Sequence, residues 1–215
     1  MDQSVSFNNE GASHLCAGNL DTAIRCFTSA LEKLRRIDAS SFQVKNDENL
    51  RTFVPIPELV NDHELASESG DTIFDKVFRI PISDNQDFSS SFAKHLLTTI
   101  ILFNLALCYH IRSMTARDAS RFVDLKRAKR MYKIGIRAVF AMEAFSFDGQ
   151  ILPLYPLLSA LCNNLCCLAT DDFDFDTIEH CIEWVCAGDI PGQAPSNLLN
   201  YMAWCDFKTR PAPMA

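Results

Sequence analysis

Glycine is scarce in this chain, 7 of 215 residues, while alanine, leucine, phenylalanine and cysteine are plentiful. Turn-rich β architectures need glycine at left-handed and closely packed positions, so the shortage favours helices. Net positive charge is lacking too. The formal charge is −7 and the sequence pI about 5.2, which argues against a general polyanion binder. No C-x-x-C pair occurs among the nine cysteines, and the number is odd. Cys166, Cys167, His180 and Cys181 match no common zinc spacing. The thiols are therefore expected to act as small apolar core residues in a reducing compartment, with no metal and no cofactor.

Other absences narrow the function. There is no glycine-rich phosphate loop, no G-x-S-x-G elbow and no H-E-x-x-H, and His14, His63, His95, His110 and His180 are scattered. The chain is accordingly not expected to be an enzyme. Met1 to Asn9 lacks the basic start and apolar stretch of a secretory signal. The most apolar run, Leu96 to Ile111, is broken by Thr98, Thr99 and Asn104, and it is expected to be a core helix too short to cross a bilayer comfortably. A cytoplasmic protein without a membrane partner is the expectation, with a nuclear location also open.

What is present is helical periodicity. Leu20, Ala23, Ile24, Phe27, Ala30, Leu31 and Leu34 recur at spacings of three and four, which draws one apolar stripe along a helix. Gly18 and Asn19 break the pattern before it and predict a tight turn, with Asn19 as the N-cap. Helices are predicted again from Ser90 to Ser113, from Ala119 to Met142 and up to Thr170. A further helix should begin at a capping box of Asp176 and Glu179 and end at Gly188. Residues 38–89 differ: they carry Pro55, Pro57 and Pro81 and no helical period. Thr52 to Ile56 and Thr72 to Ile82 are β-branched and aromatic enough for a small β-hairpin.

Gly11, Gly18, Leu20, Ala23, Phe27 and Ala30 stand at offsets that resemble a tetratricopeptide repeat, a helical hairpin that stacks on its neighbours. A second unit shows in Leu102, Asn104, Leu105, Ala106 and Tyr109 with Ala128, Tyr132 and Gly135, separated by a turn about ten residues longer than the usual period. A third spans Asn164 to Val185. The resemblance implies an all-α fold, a short right-handed solenoid of about three helix pairs. It implies a single domain over 1–215: a first pair at 1–37, an acidic insertion at 38–89, a second pair at 90–145, a third at 151–188, a terminal helix at 195–207 and a tail at 208–215. A plain helical bundle would satisfy the same stripes.

It also implies a protein-interaction adaptor that holds a peptide or protein segment in an apolar concave groove. By the family's geometry, Val5, Asn8, Ala12 and Leu15 would line it in the first unit. Ile100, Phe103, Leu107 and His110 would do so in the second, and Asn163 and Cys167 in the third. Asn104 matches a position at which some members clamp a terminal carboxylate. Asn8 and Ala12 replace the lysine and asparagine such a clamp needs, so chaperone tails are not the expected ligand. The insertion or the terminal helix could instead fill the groove.

Charge is distributed unevenly. Between Arg112 and Arg137 nine cations face Asp118 and Asp124, a local +7, and Lys126, Arg130, Lys133 and Arg137 share one helical face. This basic face is the alternative site, for an acidic peptide or nucleic acid, with nucleic acid the less expected partner; a solvated helix face is the plain reading. From Asp38 to Phe92 the insertion holds eleven acids and four bases, and it could lie against that helix. A small helical enzyme without a recognisable motif is the remaining alternative.

Overall fold

The computed structural model describes residues 3–40, 58–60, 76–80, 91–143, 154–171 and 174–187. Among them are six helices: α1 (Gln3–Cys16), α2 (Leu20–Ser40), α3 (Ser91–Thr115), α4 (Ser120–Glu143), α5 (Tyr155–Asp171) and α6 (Phe175–Ala187). Two short strands, β1 (Glu58–Val60) and β2 (Val77–Arg79), complete them. The described residues are 88% helical, so the fold class is all-α. The described elements fall into two compact units, the first with α1–α4, β1 and β2, the second with α5 and α6. The terminal helix and tail expected at 195–215 lie outside the described residues.

The α1–α2 hairpin is built from its turn outward. Gly18 sits at φ 74°, a conformation that costs other L-residues strain. Its N–H donates to the Leu15 carbonyl at 2.9 Å, and the Asn19 N–H donates to His14 at 2.8 Å. These two bonds satisfy carbonyls that the end of α1 would leave unpaired, in the Schellman arrangement. Asn19 then opens α2 by accepting from the Ala23 N–H through its carbonyl at 3.0 Å. The stripe of α2 packs as its spacing predicts: Ala23, Phe27, Ala30 and Leu34 are buried.

Gly11 permits the close approach. A Cβ there would stand 2.8 Å from Cε1 of the fully buried Phe27 ring. Gly11→Ala gains helix propensity of about 1 kcal/mol but forces an overpacking cost of about 1–3 kcal/mol. A net destabilisation is expected, and a thermal midpoint at or above that of the unaltered protein would show that the ring gives way.

α3 packs on α2 and α4, and also meets α1 and β2. Neighbours on several sides explain why Phe103 to Cys108 are buried without a break. The helix is 25 residues long, longer than the apolar run suggested. By length and composition Phe92–Thr115 could cross a membrane, but 67% of that window is buried within the protein. The long turn expected between α3 and α4 is absent. Only residues 116–119 connect them, and the extra length lies in the two helices. Asp118 closes this turn by accepting from the Ser120 N–H at 3.0 Å and from the Ser120 hydroxyl, which together hold its carboxyl below the usual range.

In the second unit α5 pairs with α6, and every residue from Leu157 to Ala169 is buried. Such burial is the environment that a helix apolar on all sides requires. The cap of α6 is Asp174, not Asp176: its carboxylate takes the Thr177 N–H at 3.2 Å and the Thr177 hydroxyl at 2.7 Å. Cys166 is held protonated by its hydrogen bond with Cys181 and by burial, and burial does the same for Cys108.

Candidate functional site

β1 and β2 pair antiparallel, with Leu59 opposite Phe78 and Val60 opposite Val77. The second strand falls inside the expected 72–82 segment; the first lies just beyond the expected Thr52–Ile56, which is outside the described residues. Within such a pair, alternate residues of a strand turn their N–H and C=O groups away from the partner strand. In β2 those groups belong to Phe78, and the next set belongs to Ile80.

Asparagines on the helices satisfy them. Asn104 of α3 accepts the Phe78 N–H on Oδ1 at 3.1 Å and donates from Nδ2 to the Phe78 carbonyl at 2.8 Å. Asn9 of α1 does the same for Ile80, at 3.0 and 2.7 Å. Asn8 donates to the Phe78 carbonyl at 3.2 Å and accepts from Asn104 at 3.0 Å. A carboxamide carries the same donor and acceptor as a peptide group, so these side chains stand in for a third strand. Asn8 and Asn104 are fully buried, where an unpaired amide would be costly.

The apolar side of the cradle follows. Val77, Phe78 and Ile80 are buried. The Phe78 ring meets Phe103 edge-on, centroids 5.1 Å apart, a favoured aromatic arrangement. Arg79 reaches Ser13 of α1 at 3.1 Å. The expected groove residues Val5, Asn8, Ala12 and Leu15 of α1 are buried, as are Ile100, Phe103, Asn104, Leu107 and His110 of α3. The structure thus brings Asn8, Phe103 and Asn104 onto one strand of the insertion. Asn163 and Cys167, expected to line the groove from the third unit, are buried in α5.

His110 turns to α4. Its Nδ1 lies 3.5 Å from the Tyr132 hydroxyl, and burial pushes its pKa down to about 4. Since the unfolded imidazole titrates near 6.5, the unfolded chain binds more protons between pH 6.5 and 4. Stability is therefore complete above pH 6.5 and is lost as pH falls toward 4, by at most about 1.4 kcal/mol per pH unit from this group. Urea midpoints measured across that window should fall in the protein and fall less in His110→Phe; equal slopes would assign the loss elsewhere.

On the basic side, Lys126, Arg130 and Arg137 are exposed and Lys133 is half-buried. Arg112 belongs to a different arrangement. Its guanidinium grips buried Asp124 of α4 through Nε at 2.8 Å and a terminal nitrogen at 2.9 Å, and reaches Asp21 of α2 at 2.8 Å. Arg112 and Arg127 both lie over the Tyr109 ring, 5.2 and 5.4 Å from its centroid. The Asp124 hydrogen bonds foremost raise the already high Arg112 pKa. The described strand β2 of the acidic insertion packs on α1 and α3; apart from residues 38–40, 58–60 and 76–80 the insertion lies outside the described residues.

Metal-type donors meet at one place among the described residues. Glu10 and His14, one turn apart on α1, face Cys26 of α2 with donor atoms within 4.8 Å of one another. Burial, and then the Glu10 carboxylate, raise the Cys26 pKa, and a metal would have to displace that proton.

Asn9 was missed in the sequence. Its signal was adjacency to Asn8, since two neighbouring helix residues can reach two strand positions spaced by two. No protein-family model, curated protein or solved structure matches the chain.

Proposed function

We propose that this chain is a tetratricopeptide-like interaction adaptor whose α1–α3 cradle binds an extended polypeptide through its backbone, with β2 as the bound segment in cis. The supporting observation is the paired hydrogen bonding of Phe78 by Asn104 and of Ile80 by Asn9. Main-chain recognition supplies affinity with little demand on sequence, and the pockets for alternate side chains supply selectivity. Burying Val77, Phe78 and Ile80 supplies roughly 5–8 kcal/mol of apolar transfer before ordering costs. A tethered strand acts at an effective concentration in the ~mM range. A partner segment must therefore compete with β2, and the adaptor is held closed until one does.

The test uses a labelled peptide of residues 75–82. Val77→Ser with Phe78→Ser weakens the strand in cis, and the peptide is expected to bind that variant with Kd on the order of 10–100 μM and the unaltered protein at least tenfold more weakly. A folded variant, judged by circular dichroism, that shows no saturable binding would make β2 a fixed brace and remove the groove as a partner site.

A further inference from the structure

A second surface stands apart from the cradle. Five large apolar residues are exposed among the described residues: Met114, Phe122, Val123, Ile134 and Phe175. Three of them lie on α4, and a fourth, Met114, lies in the last turn of α3 just before it. That helix is also the most basic part of an acidic chain. Phe122 is 74% exposed and its neighbour Val123 49%, and exposed apolar surface rimmed by charged residues is the pattern of an interaction site.

The two properties share one face. At 100° per residue, Phe122, Lys126, Arg130 and Arg137 fall within an arc of about 80°, over about 22 Å of helix. Val123 and Ile134 border that arc. Arg121, Lys126, Arg130 and Arg137 make no ion pair with a described residue, whereas Arg112 and Arg127 are engaged with Asp124. A merely solvated face would have no need of an exposed ring in line with its cations.

We infer that the outward face of α4 is a docking surface for an acidic segment of a partner protein that carries a bulky apolar side chain. Carboxylates spaced along the segment meet Lys126, Arg130 and Arg137, and the apolar residue covers Phe122. Charge complementarity selects the acidic partner. A peptide fits better than a nucleic acid, because the local +7 sits in a chain of net charge −7, whose remaining residues therefore carry −14. A long polyphosphate would meet that surrounding negative field, while a short segment touches the stripe alone. The contact does not depend on the cradle, so its failure leaves the cradle proposal standing.

The experiment titrates the full chain into fluorescent probes of about 16 residues or nucleotides: a Glu/Phe peptide with phenylalanine every fourth position, an all-Glu peptide, and single-stranded RNA. Phosphatidylserine vesicles are a fourth probe. The Glu/Phe peptide should bind most tightly, and its affinity should fall less with salt than that of the all-Glu peptide. Lys126→Glu with Arg130→Glu should weaken it by about tenfold or more. Phe122→Ser should weaken it several-fold without changing the salt slope. Tighter binding of RNA or vesicles, or indifference to these exposed-site substitutions, overturns the proposal. Binding seen only after Asp62, Glu64, Glu68 and Asp71 are neutralised to Asn or Gln also overturns it, since the chain itself would then be the occupant.

Discussion

Arg112→Met is expected to lower the unfolding free energy by about 3–5 kcal/mol. The Asp124 side chain is only 3% exposed, and the arginine fork gives each of its oxygens a short hydrogen bond. Arg127 is 3.8 Å away and half-exposed, a distance that replaces neither bond. Removing the fork leaves a buried carboxylate without its principal counter-charge, and most of the cost is that desolvation, not the intrinsic worth of the pair. A second substitution isolates it: Arg112→Met with Asp124→Leu should recover most of the loss. Asp21→Asn, which removes a contact to a side chain 84% exposed, should cost less than about 1 kcal/mol. Urea unfolding of the three variants checks the order. A loss under about 1 kcal/mol for Arg112→Met would mean that water reaches Asp124.

Asn104→Ala should cost about 2–4 kcal/mol. It strips the Phe78 N–H of its acceptor and the Asn8 carbonyl of its donor, two buried groups at roughly 1–3 kcal/mol each, while the Phe78 carbonyl keeps its bond from Asn8. Asn104→Asp makes a sharper test because the shape is retained. An ionised carboxylate would face the Phe78 carbonyl and the Asn8 oxygen, so at pH 7 this variant should be at least as unstable as the alanine one. Its carboxyl pKa should be raised by burial, so part of the stability should return as pH falls and the acid form again offers a hydrogen. A loss unchanged between pH 7 and 5 would sink the idea that the donor at position 104 matters. Hydrogen exchange at the Phe78 amide supplies a local readout that global destabilisation alone would not single out.

The helices were legible because each records its own neighbourhood: the stripe from Leu20 to Leu34, the Gly18 turn and the long apolar run of α3 are all local patterns. Asn8 and Asn104 were singled out as groove residues, and both are buried. Their target was not readable. The contact joins residues 70 and 26 positions apart, and a three-residue strand carries almost no periodic signal. The Asp174 cap was displaced by two positions because Asp171, Asp174 and Asp176 are equally good candidates by type. The α3–α4 connection was overestimated because the usual repeat period was applied to the second unit, whereas α3 and α4 run longer than that period allows and leave only residues 116–119 between them.

The amide ladder also bears on the order in which the chain can fold during synthesis. Residues 3–40 can form their hairpin as they emerge, since every contact within it is short in sequence. The lock on β2 cannot close then, because Asn104 does not yet exist. At about 5–20 residues per second, translation from Ser40 to the end of α3 takes roughly 4–15 s. From the synthesis of Phe78 to the end of α3, roughly 2–7 s of that interval, Phe78 can be engaged by Asn8 of α1 and by β1 but not by Asn104, and the apolar face awaiting α3 is uncovered. Slow decoding near residues 80–115 would lengthen that exposure, and fast decoding would shorten it.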